Sequence, residues 1–354
     1  MEILINKNNT PSEKPDEDSL GFGKIFTDNM FIMDYSADKG WHDARIVPFE
    51  NLSIHPASTV LHYGCEIFEG LKAYRRKDGR VQLFRPIENI RRFNNSAKRM
   101  CMPTIDEDDA MQALTTFVSV EKDWVPSKEG TSLYLRPFMF GNDESLGVHA
   151  VSNAKFVIIA APVGSYYKEG INPVKIMIES TDVRAVRGGT GEAKCGGNYA
   201  ASTRAGENAE KLGYSQVLWL DGVERKYIEE VGAMNVMFKI NGEIVTPKLS
   251  GSILPGITRK SSIEVLKDLG YKVSERLVSI DELEHAMESG ELEEAFGCGT
   301  AAVISPIGEL KYKDRVYTVN NFKIGEVSKK LYDTLVSIQW GNAEDKYGWT
   351  QIVD

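Results

Sequence analysis

Short β-rich runs and amphipathic helical stretches alternate along this chain, and no apolar run is long enough to form a core by itself. The longest uninterrupted one, Phe156 to Val163, has eight residues, against the roughly 20 that a membrane-spanning helix needs. Phe22 to Tyr35, Ala44 to Phe49 and Val81 to Phe84 read as strands, with turn signals such as Lys77-Asp78-Gly79 between them. After Pro86 the period changes: Ile87, Ile90, Phe93 and Ala97 recur at helical spacing, and Asp106 to Val118 is a second helix with acidic residues in its first turn. Ser132 to Phe140, Lys155 to Val163 and Val174 to Glu179 are strands again. The second half predicts helices near Tyr199 to Leu212, Thr258 to Leu269 and Ile324 to Ile338. Its predicted strands are Gln216 to Leu220, Asn235 to Ile240, Tyr271 to Val278 and Ala301 to Ile304.

That order predicts an α+β chain, and 354 residues are enough for two domains. We divide it into a flexible N-terminal arm over residues 1–20, polar and carrying Pro11 and Pro15, and a smaller N-terminal α/β domain over 21–164. An inter-domain linker over 165–181, marked by Gly170 and Pro173, leads to a larger C-terminal α/β domain over 182–354. With 42 Lys and Arg against 51 Asp and Glu the net charge is -9, which argues against a nucleic-acid partner. The acidic N-terminus lacks a basic start and apolar core, so a cytoplasmic protein with no membrane partner is expected. Four cysteines and five histidines show no Cys-x-x-Cys and no metal-ligand spacing, so neither a disulfide framework nor a metal is expected.

The densest anomaly is Arg184-Ala-Val-Arg-Gly-Gly-Thr-Gly-Glu-Ala-Lys194-Cys-Gly-Gly-Asn-Tyr199, in which five glycines surround one lysine. Glycine lets the backbone approach a ligand closely. A Walker A loop fails here, because Ala193 precedes and Cys195 follows Lys194, and a dinucleotide fingerprint fails for want of its third glycine. A desolvated lysine can form a Schiff base with a carbonyl. A pyridoxal cofactor would then need cations for its phosphate, an acid for its ring nitrogen and a donor for its phenolic oxygen. Glu229 and Glu230 precede Val-Gly-Ala-Met-Asn, and either could be the acid. Tyr134 and Arg136 share one face of a strand, an arrangement suited to a carboxylate. Tyr63 and Phe68 lie among glycines in LHYGCEIFEGLKAY. At each of these places a solvated loop, an edge ion pair or ordinary core packing is the alternative.

Taken in order, LHYGCEIFEGLKAY, LFRPIENIRRFNNSAKRM, YLRPFMFG, GGTGEAKCGGNYAAS, QVLWLDG, IEEVGAMN, ILPGITR and FGCGTAAVISPIG resemble the class IV pyridoxal-phosphate aminotransferases, most closely the branched-chain amino acid aminotransferases. The resemblance implies the fold of the type IV pyridoxal-phosphate enzymes, two α/β domains with the cofactor at their interface. It implies pyridoxal 5'-phosphate as cofactor and Lys194 as the lysine that binds it covalently and then moves the substrate proton. By the same resemblance Tyr199 serves the phenolic oxygen, Glu230 rather than Glu229 the ring nitrogen, and Arg92, Ile257, Thr258 and Thr300 the phosphate. Arg184 falls at a further cofactor-site arginine. Tyr63, Phe68, Tyr134, Arg136, Val148, Ala301 and Ala302 fall at substrate positions, Val148 in a Gly141 to Val148 loop resembling one that reaches a neighbouring active site.

The implied activity is reversible, ping-pong amino transfer between leucine, isoleucine or valine and 2-oxoglutarate, giving branched 2-oxo acids and glutamate, as in branched-chain amino acid biosynthesis, by a homodimer or higher homo-oligomer. Two departures stand out. Ala302 and Ser305 occupy the places of a Cys-x-x-Cys pair found in mammalian members, and Ala233 stands where a threonine is common. A D-amino acid aminotransferase or an aminodeoxychorismate lyase of the same fold is the alternative enzyme, and a catalytically silent relative is the alternative outside enzymes.

Overall fold

The structure is a computed structural model and describes residues 1–164 and 171–353. These divide into two compact units that do not follow a single cut in the chain. The first takes in residues 1–164, 193–196 and 337–353, and the second 171–192 and 197–336.

The first unit is built on a sheet of nine strands among the described residues. Its elements are β1 (Leu4–Ile5), β2 (Asn29–Ser36), β3 (Gly40–Pro48), α1 (Thr59–Tyr63), β4 (Glu66–Phe68), β5 (Leu71–Arg75), β6 (Val81–Phe84), α2 (Pro86–Arg99), α3 (Glu107–Val120), β7 (Ser132–Gly141) and β8 (Asn153–Val163). β7 and β8 pair over their whole length, from Ser132 opposite Val163 to Gly141 opposite Ala154. The nearly unbroken apolar run of β8 fits a strand with neighbours on both sides, β2 and β7. α2 and α3 bury Ile90, Phe93 and Ala97, and Ala113, Leu114 and Phe117, in one core with Phe31, Leu133 and Phe156. Asp106 caps α3 by accepting from the amides of Asp108 and Asp109.

The first twenty residues, expected as a flexible arm, are tied along this unit. β1 pairs in parallel with β3, the Asn8 amide donates to Asn29 (2.6 Å) and the Ser12 amide to Asp28 (2.9 Å). Glu17 accepts from the amides of Ser127 and Lys128. These partners lie far away in sequence, which is why local composition gave no sign of them.

The second unit carries β9 (Val174–Glu179), α4 (Gly196–Lys211), β10 (Gln216–Leu220), β11 (Ile228–Val231), β12 (Met234–Ile240), β13 (Glu243–Pro247), α5 (Ile257–Asp268), β14 (Val273–Arg276), α6 (Ile280–Ser289), β15 (Leu292–Gly299), β16 (Val303–Tyr312) and β17 (Arg315–Thr318). The strands run in the order β11-β10-β9-β16-β15-β12-β13-β14, and an added β11–β12 pairing closes the first six into a ring. Ring closure removes edges that would otherwise need covering. Of the expected linker over 165–181, residues 165–170 lie outside the described residues. The rest holds β9, a strand paired in parallel with β10 and β16 and so an interior member of the ring.

After α7 (Glu326–Gln339) the chain rejoins the first unit, where β18 (Thr350–Val353) pairs antiparallel with β6. Gln82 donates to the carbonyls of Ile338 and Gln339 (3.0 and 2.7 Å). Because of this return the first unit, expected to be the smaller, holds the larger share of the residues. Among the described residues no helix is long and apolar enough to cross a membrane.

Glu121, at the end of α3, is 2% exposed. Burial pushes its carboxyl up to about 7, opposed by the hydrogen bond from Asn29 and the charge of Lys14 and reinforced by Asp28. An acid whose folded pKa is raised contributes stability that is complete below its unfolded pKa of 4.5 and is lost as pH climbs through 7. Glu121→Gln keeps an acceptor for Asn29 and removes the charge. It is expected to raise stability at pH 8 by about 1–3 kcal/mol and to leave it unchanged at pH 4, as read by urea unfolding at the two values.

Candidate active site

In the first unit the site grows from the corner where β4 gives way to β5. β4 is held antiparallel to Phe138–Phe140 of β7, and the lysine segment is laid against it. Ile67 bridges Cys195, the Phe68 amide donates to the Lys194 carbonyl (3.0 Å), the Lys194 amide donates to Ser96 Oγ (2.9 Å), and the Gly196 amide donates to Glu66 (2.9 Å). Both main-chain groups of Lys194 are therefore engaged, and Lys194 Nζ lies 4.8 Å from the Phe68 ring centroid. A Cβ on Gly196 would sit 2.6 Å from the Glu66 carboxylate, so a larger residue there would displace that side chain from the Gly196 amide.

Directly after Phe68, Glu69 is 1% exposed. Its carboxylate accepts from Arg92 Nε (2.7 Å), Arg92 Nη2 (2.8 Å) and Asn89 Nδ2 (2.7 Å), the bidentate geometry that makes guanidinium pairs strong. Burial acts to push the Glu69 carboxyl up. The charge and hydrogen bonds of Arg92, the charge of Lys194 and the Asn89 bond outweigh it and hold the group below its ordinary value. The Glu69 carbonyl accepts from Arg136 Nε (3.0 Å), while Arg136 Nη2 donates to the Tyr134 hydroxyl (3.2 Å) and its guanidinium lies 4.7 Å from the Phe68 centroid. A Cβ at Gly70 would come within 2.0 Å of that hydroxyl. The structure thus brings Phe68, Arg92, Tyr134, Arg136 and Lys194 together. Tyr63 and Val148 are 40% and 82% exposed, Tyr63 donating to the Leu146 carbonyl.

In the second unit Arg184 and Glu230 are both buried and form an ion pair at 3.3 Å. Arg184 also donates to the carbonyls of Gly191 (3.1 Å) and Ser252, and Glu230 accepts from the Leu254 amide (2.7 Å). A Cβ on Gly191 would lie 2.2 Å from the Ser252 carbonyl, so the glycine-rich segment packs here at backbone distance. Its neighbour Glu229 bonds Ser252 Oγ instead, and burial pushes its carboxyl up. Alternate strand residues face opposite ways, and it is Glu230 that meets the arginine.

Asn235, opposite Glu230 across the β11–β12 turn, donates to the Leu254 carbonyl (3.0 Å), and its Oδ1 would lie 1.9 Å from a Cβ on Gly256. Gly256 begins α5, whose first residues are Ile257 and Thr258, both buried; a helix of this length presents amides and a positive dipole end to an anion. Thr300, Ala301 and Ala302 form the turn between β15 and β16, and Val303 follows with φ +61°. Tyr199 lies in the first turn of α4, behind the Thr190–Asn198 pair (2.8 Å) that closes the glycine segment. Cys298 is buried, and burial pushes its thiol up to about 12.

The sequence reading did not identify Glu69, Asn89, Ser96 or Asn235. A carboxylate between Phe68 and Gly70, in the two-residue step from β4 to β5, was the available signal for the first.

The family description "Amino-transferase class IV" matches residues 66–310. The chain is 57% identical over 348 residues, 98% of its own length and 96% of the relative's, to "Branched-chain-amino-acid aminotransferase 2" of Bacillus subtilis (strain 168). Among solved structures it resembles the Escherichia coli branched-chain amino acid aminotransferase, with TM-score 0.77 and 28% identity, over 92% of this chain and 99% of that one. It also resembles the T.th. branched-chain amino acid aminotransferase complexed with N-(5'-phosphopyridoxyl)-L-glutamate, with TM-score 0.76 and 27% identity, over 92% and 98%.

Removing Arg184 leaves a buried carboxylate without its counter-charge. Arg184→Met is expected to cost about 3–5 kcal/mol in chemical unfolding. Arg184→Met combined with Glu230→Gln is expected to recover most of that loss, and a double variant as unstable as the single one contradicts the pairing.

Proposed function

The chain belongs to the class IV amino-transferases, and from that premise we propose that it transfers the amino group between leucine, isoleucine or valine and 2-oxoglutarate, with pyridoxal 5'-phosphate as cofactor. The observation that carries the substrate class is the 57% identity, over nearly the whole of both chains, to a branched-chain relative. The T.th. neighbour holds a phosphopyridoxyl group joined to glutamate, in keeping with the same cofactor and amino donor here.

The residues present suit that cofactor. Its phosphate calls for anion-binding groups, and each unit by itself offers one: Arg92, fixed by Glu69, in the first, and the start of α5 at Gly256 in the second. Its ring nitrogen calls for a buried carboxylate held in place, and Glu230 is held by Arg184 at 3.3 Å and by the Leu254 amide. Bound pyridoxal phosphate supplies an electron sink for the charge released at the substrate α-carbon. Lys194 Nζ is assigned as the covalent anchor and as the group that moves the proton at that carbon. Glu230 holds the proton on the ring nitrogen, Tyr199 donates to the phenolic oxygen, and Arg92, Ile257, Thr258 and Thr300 hold the phosphate. Arg184 acts through Glu230. On the substrate side, Arg136 and Tyr134 meet carboxylate, Ala301 and Ala302 offer amides, and Phe68, Tyr63 and Val148 face the aliphatic chain.

We assign a homodimer or higher homo-oligomer as the working form. Leu61, Tyr63, Leu146 and Val148 support it, because at 58%, 40%, 67% and 82% exposure they form an apolar surface on a single chain. Four cysteines outside any disulfide suit a reducing compartment such as the cytoplasm.

Lys194→Ala is expected to keep its far-ultraviolet circular dichroism while losing the visible absorption of the bound cofactor and all turnover. A Lys194→Ala protein that still turns over ends the assignment. Half-reaction spectra with separate L-leucine, L-isoleucine, L-valine, D-alanine and aminodeoxychorismate are expected to respond to the first three alone. Leu146→Asp with Val148→Asp is expected to shift the mass in sedimentation to that of a single chain.

A further inference from the structure

We propose that Glu69 is a positioning residue for cofactor binding: its carboxylate fixes the plane of the Arg92 guanidinium and so gives this arginine its selectivity for the phosphate. The inference rests on the reading of Arg92 as a phosphate ligand and deepens it. A guanidinium carries donors in a rigid planar fork. Two bonds from one carboxylate, to Arg92 Nε and Nη2 at 2.7 and 2.8 Å, determine where that plane lies. The carboxylate is itself immobilised. It is 1% exposed, Oε2 also accepts from Asn89 Nδ2 (2.7 Å) and the Gly70 amide (3.1 Å), and the Glu69 amide donates to the Pro137 carbonyl (2.7 Å). The same residue's carbonyl holds Arg136 at 3.0 Å, so one residue orients both arginines of this half of the site.

The arrangement is unexpected on charge alone. A buried anion beside a cation meant for phosphate lowers the local positive potential and, by simple Coulomb reasoning, opposes phosphate binding. Position and charge therefore predict opposite signs when the carboxylate is neutralised. If Glu69 merely balanced charge, glutamine would tighten phosphate binding. If Glu69 holds the fork, glutamine weakens it, because the amide end turns a donor toward an arginine that can only donate.

The test uses the full-length chain, stripped of cofactor and titrated in parallel with pyridoxal 5'-phosphate and with pyridoxal, which lacks the phosphate. For Glu69→Gln we expect the affinity for pyridoxal 5'-phosphate to fall by roughly 10- to 100-fold and that for pyridoxal to stay within about twofold. Arg92→Lys is expected to show the same selective loss, and adding Glu69→Gln to it is expected to cost nothing more. Unchanged or tighter binding of pyridoxal 5'-phosphate by Glu69→Gln overturns the proposal, and so does an equal loss for both ligands, which signals general damage to the fold. If Arg92→Lys itself shows no selective loss, the reading of Arg92 falls and takes the inference with it. A selective loss for Arg92→Lys but not for Glu69→Gln overturns the inference alone. Should Glu69→Gln not fold, Asn89→Leu carries the test: it removes one of the bonds that hold Glu69 Oε2 and is expected to give a smaller loss confined to the phosphorylated ligand.

Discussion

The seating of residues 193–196 on β4 is the contact on which the rest of this site depends. Two main-chain bonds at Lys194, the Gly196 amide on Glu66 and the Ile67–Cys195 bridge pin four consecutive residues to the first unit, although the chain on either side of them belongs to the second. Buried main-chain groups have to be paired, and a glycine-rich segment can meet that demand only where its backbone approaches a strand closely. β4 offers such a strand. With the backbone of Lys194 immobilised, the entropy cost of placing its amine beside Phe68 falls mainly on the side-chain torsions.

Within each unit the buried charges are arranged in pairs. Arg92 is matched by Glu69, and Arg184 by Glu230. The net charge of -9 does not favour anions, and the cations at these two places are not isolated. Each of these arginines is buried against a carboxylate, so little unpaired positive charge is offered at either place. What the pairing supplies is direction. A buried ion pair is costly to desolvate and contributes modest stability, but it holds a planar donor or a carboxylate in one orientation.

Much of the fold was legible in local pattern. β9 and β10 fall on their predicted residues, and α2, α5 and α7 lie within a few residues of theirs, because their apolar positions repeat with a clear period. The elements that escaped are those whose residues serve something other than a local period. β4 and β5 are three and five residues long and separated by Glu69 and Gly70. β15 reads as Leu-Glu-Glu-Ala-Phe-Gly-Cys-Gly, a poor strand by propensity that is held between β12 and β16. α6 carried a usable signal in Ser279 and Glu282, a capping box, with Gly290 closing it.

The sequence by itself determined which side chains exist to do chemistry: one lysine among glycines, two neighbouring carboxylates, an arginine and a tyrosine two apart on one strand, and an ordered set of motifs belonging to one family. Those are local or linear properties, and side-chain chemistry and short-range periodicity are readable from a linear string. Only the tertiary structure decided that Glu69 faces Arg92, that Ser96 caps the Lys194 amide, that Glu230 rather than Glu229 meets Arg184, and that the ends of the chain return to the first unit. Each of those choices is a hydrogen bond or ion pair across tens to hundreds of residues. Such a bond depends on strand register and sheet closure, and a linear pattern does not encode the distances that result.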